Sequence, residues 1–336
     1  DTHRLVSQTA VQVPAFGGEL LLQPRGLGQS RLFLPARGNN SLVWMDVTND
    51  PETNIPSLRC WVEDPTDSKI CADQYVLDET TDSSPGLDPF GVSVQTIEET
   101  GLDYVFTTSF EGQLSVYEFA EGTTPKRVDQ VLLSTGSYDV ATHPETGHVY
   151  ATSKRFNLLH NVEITPSENS GVTTDVDSLV ISNAAGQAGK NEFARSMVFN
   201  ETGSLAFVAY RTPPALLVVD TSPDVNGTPQ NRVLTWIPLA GRPASVAIGR
   251  VGPNDQEMLY VTLYDLDKVA VVDPIAMEVV EMIPTGDGPY GLTLINRAMP
   301  ALKRAYVSLF EDHAIGVIEL DATSPFYHQE IARIRR

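Results

Sequence analysis

Six times along the chain an aromatic residue inside an apolar run is followed 12 or 13 residues later by a single carboxylate. The pairs are Phe33/Asp46, Phe106/Glu118, Tyr150/Glu163, Phe207/Asp220, Tyr260/Asp273 and Tyr306/Glu319, while successive aromatics lie 44 to 73 residues apart. A nearly constant offset inside a variable spacing means that one rigid unit is repeated and that loops of different length join its copies.

The periodicity of each unit is that of strands. Leu259-Tyr260-Val261-Thr262-Leu263 and Ala305-Tyr306-Val307-Ser308-Leu309 surround the aromatic, and Val269-Ala270-Val271-Val272-Asp273 is a second apolar run that ends on the carboxylate. These stretches are short, rich in β-branched and aromatic residues, and bounded by Gly, Asp and Asn. The short gap between them predicts a β-hairpin. A third run precedes each hairpin, as in Val92-Ser93-Val94 or Leu292-Thr293-Leu294, and a fourth follows, as in Val279-Val280-Glu281-Met282-Ile283. Four antiparallel strands in each repeat of roughly 45 to 55 residues make a propeller blade. With strands named a to d from the hub outward, the aromatic falls on b and the carboxylate at the end of c. There a short acid accepts hydrogen bonds from turn amides, so the six acids are read as structural.

Tyr260-Val261-Thr262 and Tyr306-Val307-Ser308, each followed by an apolar strand ending in Asp or Glu, and then Met282-Ile283-Pro284-Thr285-Gly286 leading to Pro289, resemble the YVTN-type β-propeller repeat family. Where that family carries Asn after the small residue, this chain has Ala36, Ser109, Ser153, Tyr210, Leu263 and Leu309. The resemblance implies an all-β propeller of four-stranded antiparallel blades. It also implies the settings in which such propellers occur: surface-layer, lipoprotein, quinoprotein-like and lactonase-like proteins. It speaks for architecture more than for activity.

Six a-b-c sets begin near Gly18, Phe90, Tyr138, Arg195, Pro243 and Tyr290, so six blades are favoured. Seven outer strands can nevertheless be counted, because both Leu5–Val13 and Glu330–Ile334 read as strand d, and a seven-bladed count stays open. A ring of repeats has no internal boundary, and residues 1–336 are read as one domain with an insertion at about 48–88. That insertion holds the only two cysteines, Cys60 and Cys71. With no other Cys or His nearby they are read as a loop-closing disulfide, which points to an oxidising compartment. An extracytoplasmic location (secreted, periplasmic or cell surface) follows, with a lipid anchor compatible. No apolar run reaches the 18 or more residues needed to span a bilayer. The formal net charge of −20 disfavours nucleic acid, whose phosphates need clustered Lys and Arg. Asn-x-Ser/Thr triplets stand at Asn39, Asn200 and Asn226.

No nucleophile elbow, His-Glu-x-x-His, phosphate-binding Gly loop, EF-hand loop or haem-attachment motif is present, and the six His are scattered. No catalytic or metal-ligating residue is therefore assigned. Binding residues on a propeller concentrate where the d-to-a connections and b-to-c loops converge. On the first set lie Phe90, Tyr138, Phe193, Arg195, Arg242 and Tyr290. On the second lie Arg37, Lys154, Arg155, Arg211, Tyr264, Asp265, Phe310, Glu311 and Asp312. Arg37, Phe90, Tyr138, Arg155, Arg195, Arg211, Arg242, Tyr264 and Tyr290 are the expected ligand-binding face, with guanidiniums as bidentate donors and aromatics as anchors. The competing reading makes them rivets and wedges between blades. Two functions compete. One is a non-enzymatic binding or scaffolding propeller that takes a protein partner or a cell-surface polymer, without a cofactor. The other is a propeller hydrolase or lactonase with calcium at the hub, for which Asp139, Asp265, Glu311 and Asp312 are the first carboxylates to test.

Overall fold

A computed structural model describes residues 11–26, 28–53, 55–61, 70–97, 101–120, 123–167, 171–181, 194–297 and 302–335. They form the six four-stranded antiparallel sheets of a six-bladed β-propeller. Blade 1 is β1 (Leu21–Gly26), β2 (Gln29–Ala36), β3 (Ser41–Asn49) and β4 (Pro56–Arg59), with β5 (Val76–Leu77) also on β3. Blade 2 is β6 (Pro89–Ile97), β7 (Leu102–Ser109), β8 (Gln113–Phe119) and β9 (Lys126–Leu132). Blade 3 is β10 (Ser137–Thr142), β11 (Val149–Ser153), β12 (Leu158–Pro166) and β13 (Val172–Val180). Blade 4 is β14 (Ala194–Phe199), β15 (Leu205–Arg211), β16 (Pro214–Asp220) and β17 (Arg232–Pro238). Blade 5 is β18 (Pro243–Arg250), β19 (Glu257–Leu263), β20 (Lys268–Asp273) and β21 (Glu278–Pro284). Blade 6 is β22 (Pro289–Arg297), β23 (Leu302–Leu309), β24 (Ala314–Glu319) and β25 (Glu330–Arg335).

The chain divides into two compact units, one formed largely by Val6–His143 with Gly147–Ser178 and carrying blades 1 to 3, the other by Leu179–Arg336 and carrying blades 4 to 6. In both, strands b and c are buried on both faces, as β7 and β16 are almost throughout, so they read as continuous apolar runs. Strand d alternates, as in β21 and β25, because one of its faces meets water. The repeated aromatics Phe33, Phe106, Tyr150, Phe207 and Tyr260 are fully buried.

The acids that end strand c mostly do what short acids do at turns. Asp273 Oδ1 accepts from the amides of Ile275 (2.8 Å) and Ala276 (3.0 Å), and these backbone donors hold its pKa below the usual value. Asp220 accepts from Ser222 and from Arg232, and Glu319 accepts from the Asp321 amide and from Arg304. Asp46 is held by Arg31 on the neighbouring strand, and Glu118 takes the Gly171 amide at 3.0 Å. Glu163 is exposed.

The surplus outer strand of the sequence reading has a simple resolution. The insertion itself supplies β4, the outer strand of blade 1, and β25 completes blade 6. Of the segment Leu5–Val13, residues 5–10 lie outside the described residues, and Gln12 makes an isolated parallel bridge to Ile70. Cys60 and Cys71 form the disulfide, with Cα atoms 4.8 Å apart. Among the described residues no helix is long and apolar enough to cross a membrane.

Candidate functional site

Strand a of five blades carries the same irregularity. Pro89 pairs with Ser109, but pairing resumes at Val92 with Thr107, which leaves one extra residue on β6. The same slip follows Ser137, Ala194, Pro243 and Pro289. The residues inside the slip are Phe90-Gly91, Tyr138-Asp139, Arg195-Ser196, Ala244-Ser245 and Tyr290-Gly291. A β-bulge removes residues from the ladder and re-aims their side chains. That is why the predicted aromatics stand out of the regular strand pattern.

A hydroxyl on strand b compensates for the lost ladder bonds. Thr108, Thr152, Thr262 and Ser308 each lie two residues after the repeated aromatic. They accept from the amides of Gly91 (3.2 Å), Asp139 (3.0 Å), Ser245 (2.9 Å) and Gly291 (2.7 Å). Two of them also reach the next blade: Thr108 Oγ1 donates to the Tyr138 carbonyl and Thr262 Oγ1 to the Tyr290 carbonyl at 2.8 Å. Sequence reasoning assigned these hydroxyls no role. Their signal was present as the Thr or Ser at the third place of the repeated motif.

In the unit of blades 1 to 3 the expected face converges. The Phe90 and Tyr138 rings stack with centroids 3.8 Å apart and planes at 21°. Lys154 Nζ lies 4.7 Å from the Tyr138 ring and 5.5 Å from the Phe110 ring, and the Arg155 guanidinium lies 4.6 Å over Phe110. Arg37 sits 5.9 Å from the Phe90 ring and pairs with Asp88, Nη2 to Oδ2 at 3.1 Å. Arg37, Phe90, Tyr138 and Arg155 thus belong to one cation and aromatic cluster, to which Phe110 is an addition that the sequence reading did not include.

In the unit of blades 4 to 6, Tyr264 and Tyr290 meet edge-on at 6.2 Å, and Tyr290 lies 6.5 Å from Phe310. The Tyr264 hydroxyl donates to Glu311 Oε1 at 2.8 Å; this bond raises the phenol pKa, and the charge of Arg211 opposes the rise. The Arg242 amide donates to Asp265 Oδ1 at 2.8 Å, while its side chain is exposed. Arg195 is buried. Phe193 lies outside the described residues.

The carboxylates named for a hub metal are engaged with protein groups. Asp312 Oδ2 accepts from Arg333 (2.8 Å) and the Asp287 amide (3.2 Å), in addition to the Asp265 and Glu311 bonds above. Asp139 shares a side-chain hydrogen bond with Glu19, a residue the sequence reading passed over. Crowding by protein, then the charge of Asp139, raises the Glu19 pKa well above the usual carboxylate range. Glu19 keeps exposed surface, so water still reaches it, whereas Asp139 is buried. Among the described residues no group of three or more His, Cys, Asp or Glu side chains is arranged to hold a metal ion. Two of the histidines are also partnered: His160 bridges Ser134 and Ser178 at 2.8 Å each, with burial lowering its pKa to about 4, and His328 links Tyr260 (3.0 Å) to Glu281.

No protein-family model matches the chain, and no curated protein matches its sequence. Solved structures match its fold. A candidate 6-phosphogluconolactonase from Bacteroides uniformis is 15% identical, with a TM-score of 0.62 over 89% of this chain and 80% of that one. A protein of unknown function from Desulfotomaculum acetoxidans is 12% identical, with a TM-score of 0.58 over 91% and 86%. Sqt1 of Saccharomyces cerevisiae is 12% identical, with a TM-score of 0.56 over 90% and 72%. At such identities the likeness is one of fold.

Proposed function

We propose that this chain is an extracytoplasmic binding propeller that uses the cation and aromatic cluster of blades 1 to 3 to hold an acidic segment of a protein partner or an anionic cell-surface polymer. The observation that carries the reading is the Phe90/Tyr138 stack with Lys154 and Arg155 placed on its ring and on Phe110. Stacked aromatics flanked by cations are the composition of interaction hot spots, and Lys154 and Arg155 stand out on a chain of net charge −20. The disulfide supports the oxidising location. The kinship in repeat motif with surface and lipoprotein propellers is part of the same proposal. Fluorescence anisotropy with labelled poly-glutamate, and poly-lysine as control, tests it. Saturable binding of poly-glutamate alone is expected, and its loss in the double variant Lys154→Glu, Arg155→Glu. Unchanged binding in that variant removes the cluster from the site.

A second reading, lactone hydrolysis, draws on the Glu19/Asp139 pair, because a carboxyl with raised proton affinity that water still reaches is a fitting general acid or base. Glucono-δ-lactone hydrolysis followed with and without millimolar calcium decides it. Turnover above the buffer rate that disappears in Asp139→Asn supports the hydrolase, and turnover equal to buffer in both conditions sinks it.

A further inference from the structure

The face of blade 1 that meets blade 2 changes character along its length. Phe33 and Trp44 are cross-strand partners on β2 and β3, and both meet the Phe119 ring of β8 edge-on, at 5.1 and 5.8 Å. Beyond them the apolar filling stops. Residues two apart on a strand share a face, and the next cross-strand rows on this face are Arg31, Asp46 and Arg59, then Gln29, Thr48 and Ser57. Two polar rows thus stand where an inter-blade surface would ordinarily carry apolar side chains, and the space before them is a cavity of about 580 Å³. That size lies within the roughly 300 to 1,000 Å³ of small-molecule sites.

The wall is cationic. Arg25, Arg31 and Arg59 line it together with Trp61. Arg25 is anchored on Asp103 of β7 at 2.5 Å, and the second oxygen of Asp103 takes the Thr96 hydroxyl at 2.7 Å. Arg31 Nε donates to Asp46 Oδ1 at 3.1 Å, with its guanidinium 4.8 Å from the centre of the Trp44 ring. Arg59 Nε donates to the Trp61 carbonyl at 3.2 Å, which fixes the start of its guanidinium fork. Among the described residues three guanidiniums and the carboxylate of Asp46 line the cavity, on a chain whose overall charge is −20. Arginines pre-positioned by such partners lose less entropy when they bind a planar or tetrahedral anion.

We propose that this cavity on blade 1 binds an anionic sugar. The guanidiniums of Arg31 and Arg59 take the carboxylate or phosphate, Gln29, Thr48 and Ser57 take ring hydroxyls, and Trp61 provides apolar surface for the sugar ring. The mixture of cations, hydroxyls and one indole distinguishes this ligand from a bare inorganic anion, which leaves the hydroxyls and the indole unused. The site is separate from the cation and aromatic cluster and does not depend on it.

Isothermal titration of the whole protein with trigalacturonate, glucose 6-phosphate and maltotriose tests the proposal and separates carboxylate from phosphate. Saturable binding of at least one anionic sugar is expected, with maltotriose at least about tenfold weaker. Arg59→Gln and Trp61→Ala should each weaken the anionic sugar about tenfold or more, because a bidentate charged bond or a stacking surface is lost. Arg250→Gln, on blade 5, should leave it unchanged. Arg59→Lys, which keeps the charge and removes the fork, gives a second reading of the same contact. Equal binding of maltotriose, no saturation by either anion at millimolar concentration, or wild-type affinity in the Arg59 and Trp61 variants with an unaltered melting curve overturns it.

Discussion

Glu19 and Asp139 belong to blades 1 and 3 and share a hydrogen bond between their carboxyl groups across the blade that separates them. The residue of blade 2 at the equivalent bulge is Gly91. A Cβ there would lie 2.6 Å from the Tyr138 carbonyl and 2.8 Å from the Val140 amide, so the blades close up only because no side chain stands between them. The two features are coupled: glycine lets the backbones approach, and the approach brings two acids into contact, which favours a retained proton.

Glu19 should make the protein less stable as the pH rises. In the unfolded chain a glutamate releases its proton near about 4.3, whereas the folded state holds it to higher pH. Between those values the native state binds more protons, so its stability is fully present below the ordinary glutamate range and falls as the pH climbs through the raised value. Glu19→Gln keeps the hydrogen-bonding shape without the titration. Urea unfolding from pH 4.5 to 8 should show the variant gaining on the wild type as the pH increases, and parallel curves would contradict this.

Gly91→Ala should be strongly destabilising, by more than about 2 kcal/mol, because a methyl group cannot enter contacts under 3.0 Å with backbone atoms unless the blades move apart. The loss should be accompanied by a weaker pH dependence, since the same movement separates Glu19 from Asp139. Gly101→Ala, in open space but at a φ of +66°, should show only the smaller local strain.

Removing the hydroxyl of Thr262 strands two half-buried backbone groups, the Ser245 amide and the Tyr290 carbonyl. Thr262→Val conserves volume and should cost about 1 to 3 kcal/mol, and Thr262→Ser should recover most of it. Denaturant midpoints of the three proteins measure the difference. A valine variant as stable as the wild type would show that water replaces the hydroxyl.

The disulfide closes a loop with a sequence separation of 11. Chain-entropy reasoning assigns it on the order of 2 to 3 kcal/mol. Reduction, or the double variant Cys60→Ser, Cys71→Ser, should lower the melting temperature. Blade 1 should be the first region to lose amide protection in hydrogen exchange, since β4 and β5 both emerge from the stapled insertion.

Much of the architecture was legible because it is local. The starts near Phe90, Tyr138, Arg195 and Tyr290 each fall inside the bulge of a strand a, and the acids at Asp220 and Asp273 cap turns as expected. The insertion was harder to read. β4 has four residues, three of them exposed and one half-buried, without an apolar alternation, so nothing in its composition announced the outer strand of blade 1. At the candidate face the residue types were legible, but burial was not: Arg195 is as good a surface cation in sequence as Arg155, yet only Arg155 is exposed.

Taken alone, the amino-acid sequence determined the repeated unit, the order of its strands and the residues that end them, because alternation, turn chemistry and hydrogen bonding to nearby amides act over a few residues. The tertiary structure alone decided which side chains meet across blades: Glu19 with Asp139, Phe90 with Tyr138, Thr262 with the Tyr290 carbonyl, and the arginines around the cavity of blade 1. Those contacts depend on the angle and distance at which one blade packs on the next. That geometry is set by the summed volume of buried side chains and by a glycine at one bulge, quantities that no single stretch of sequence contains.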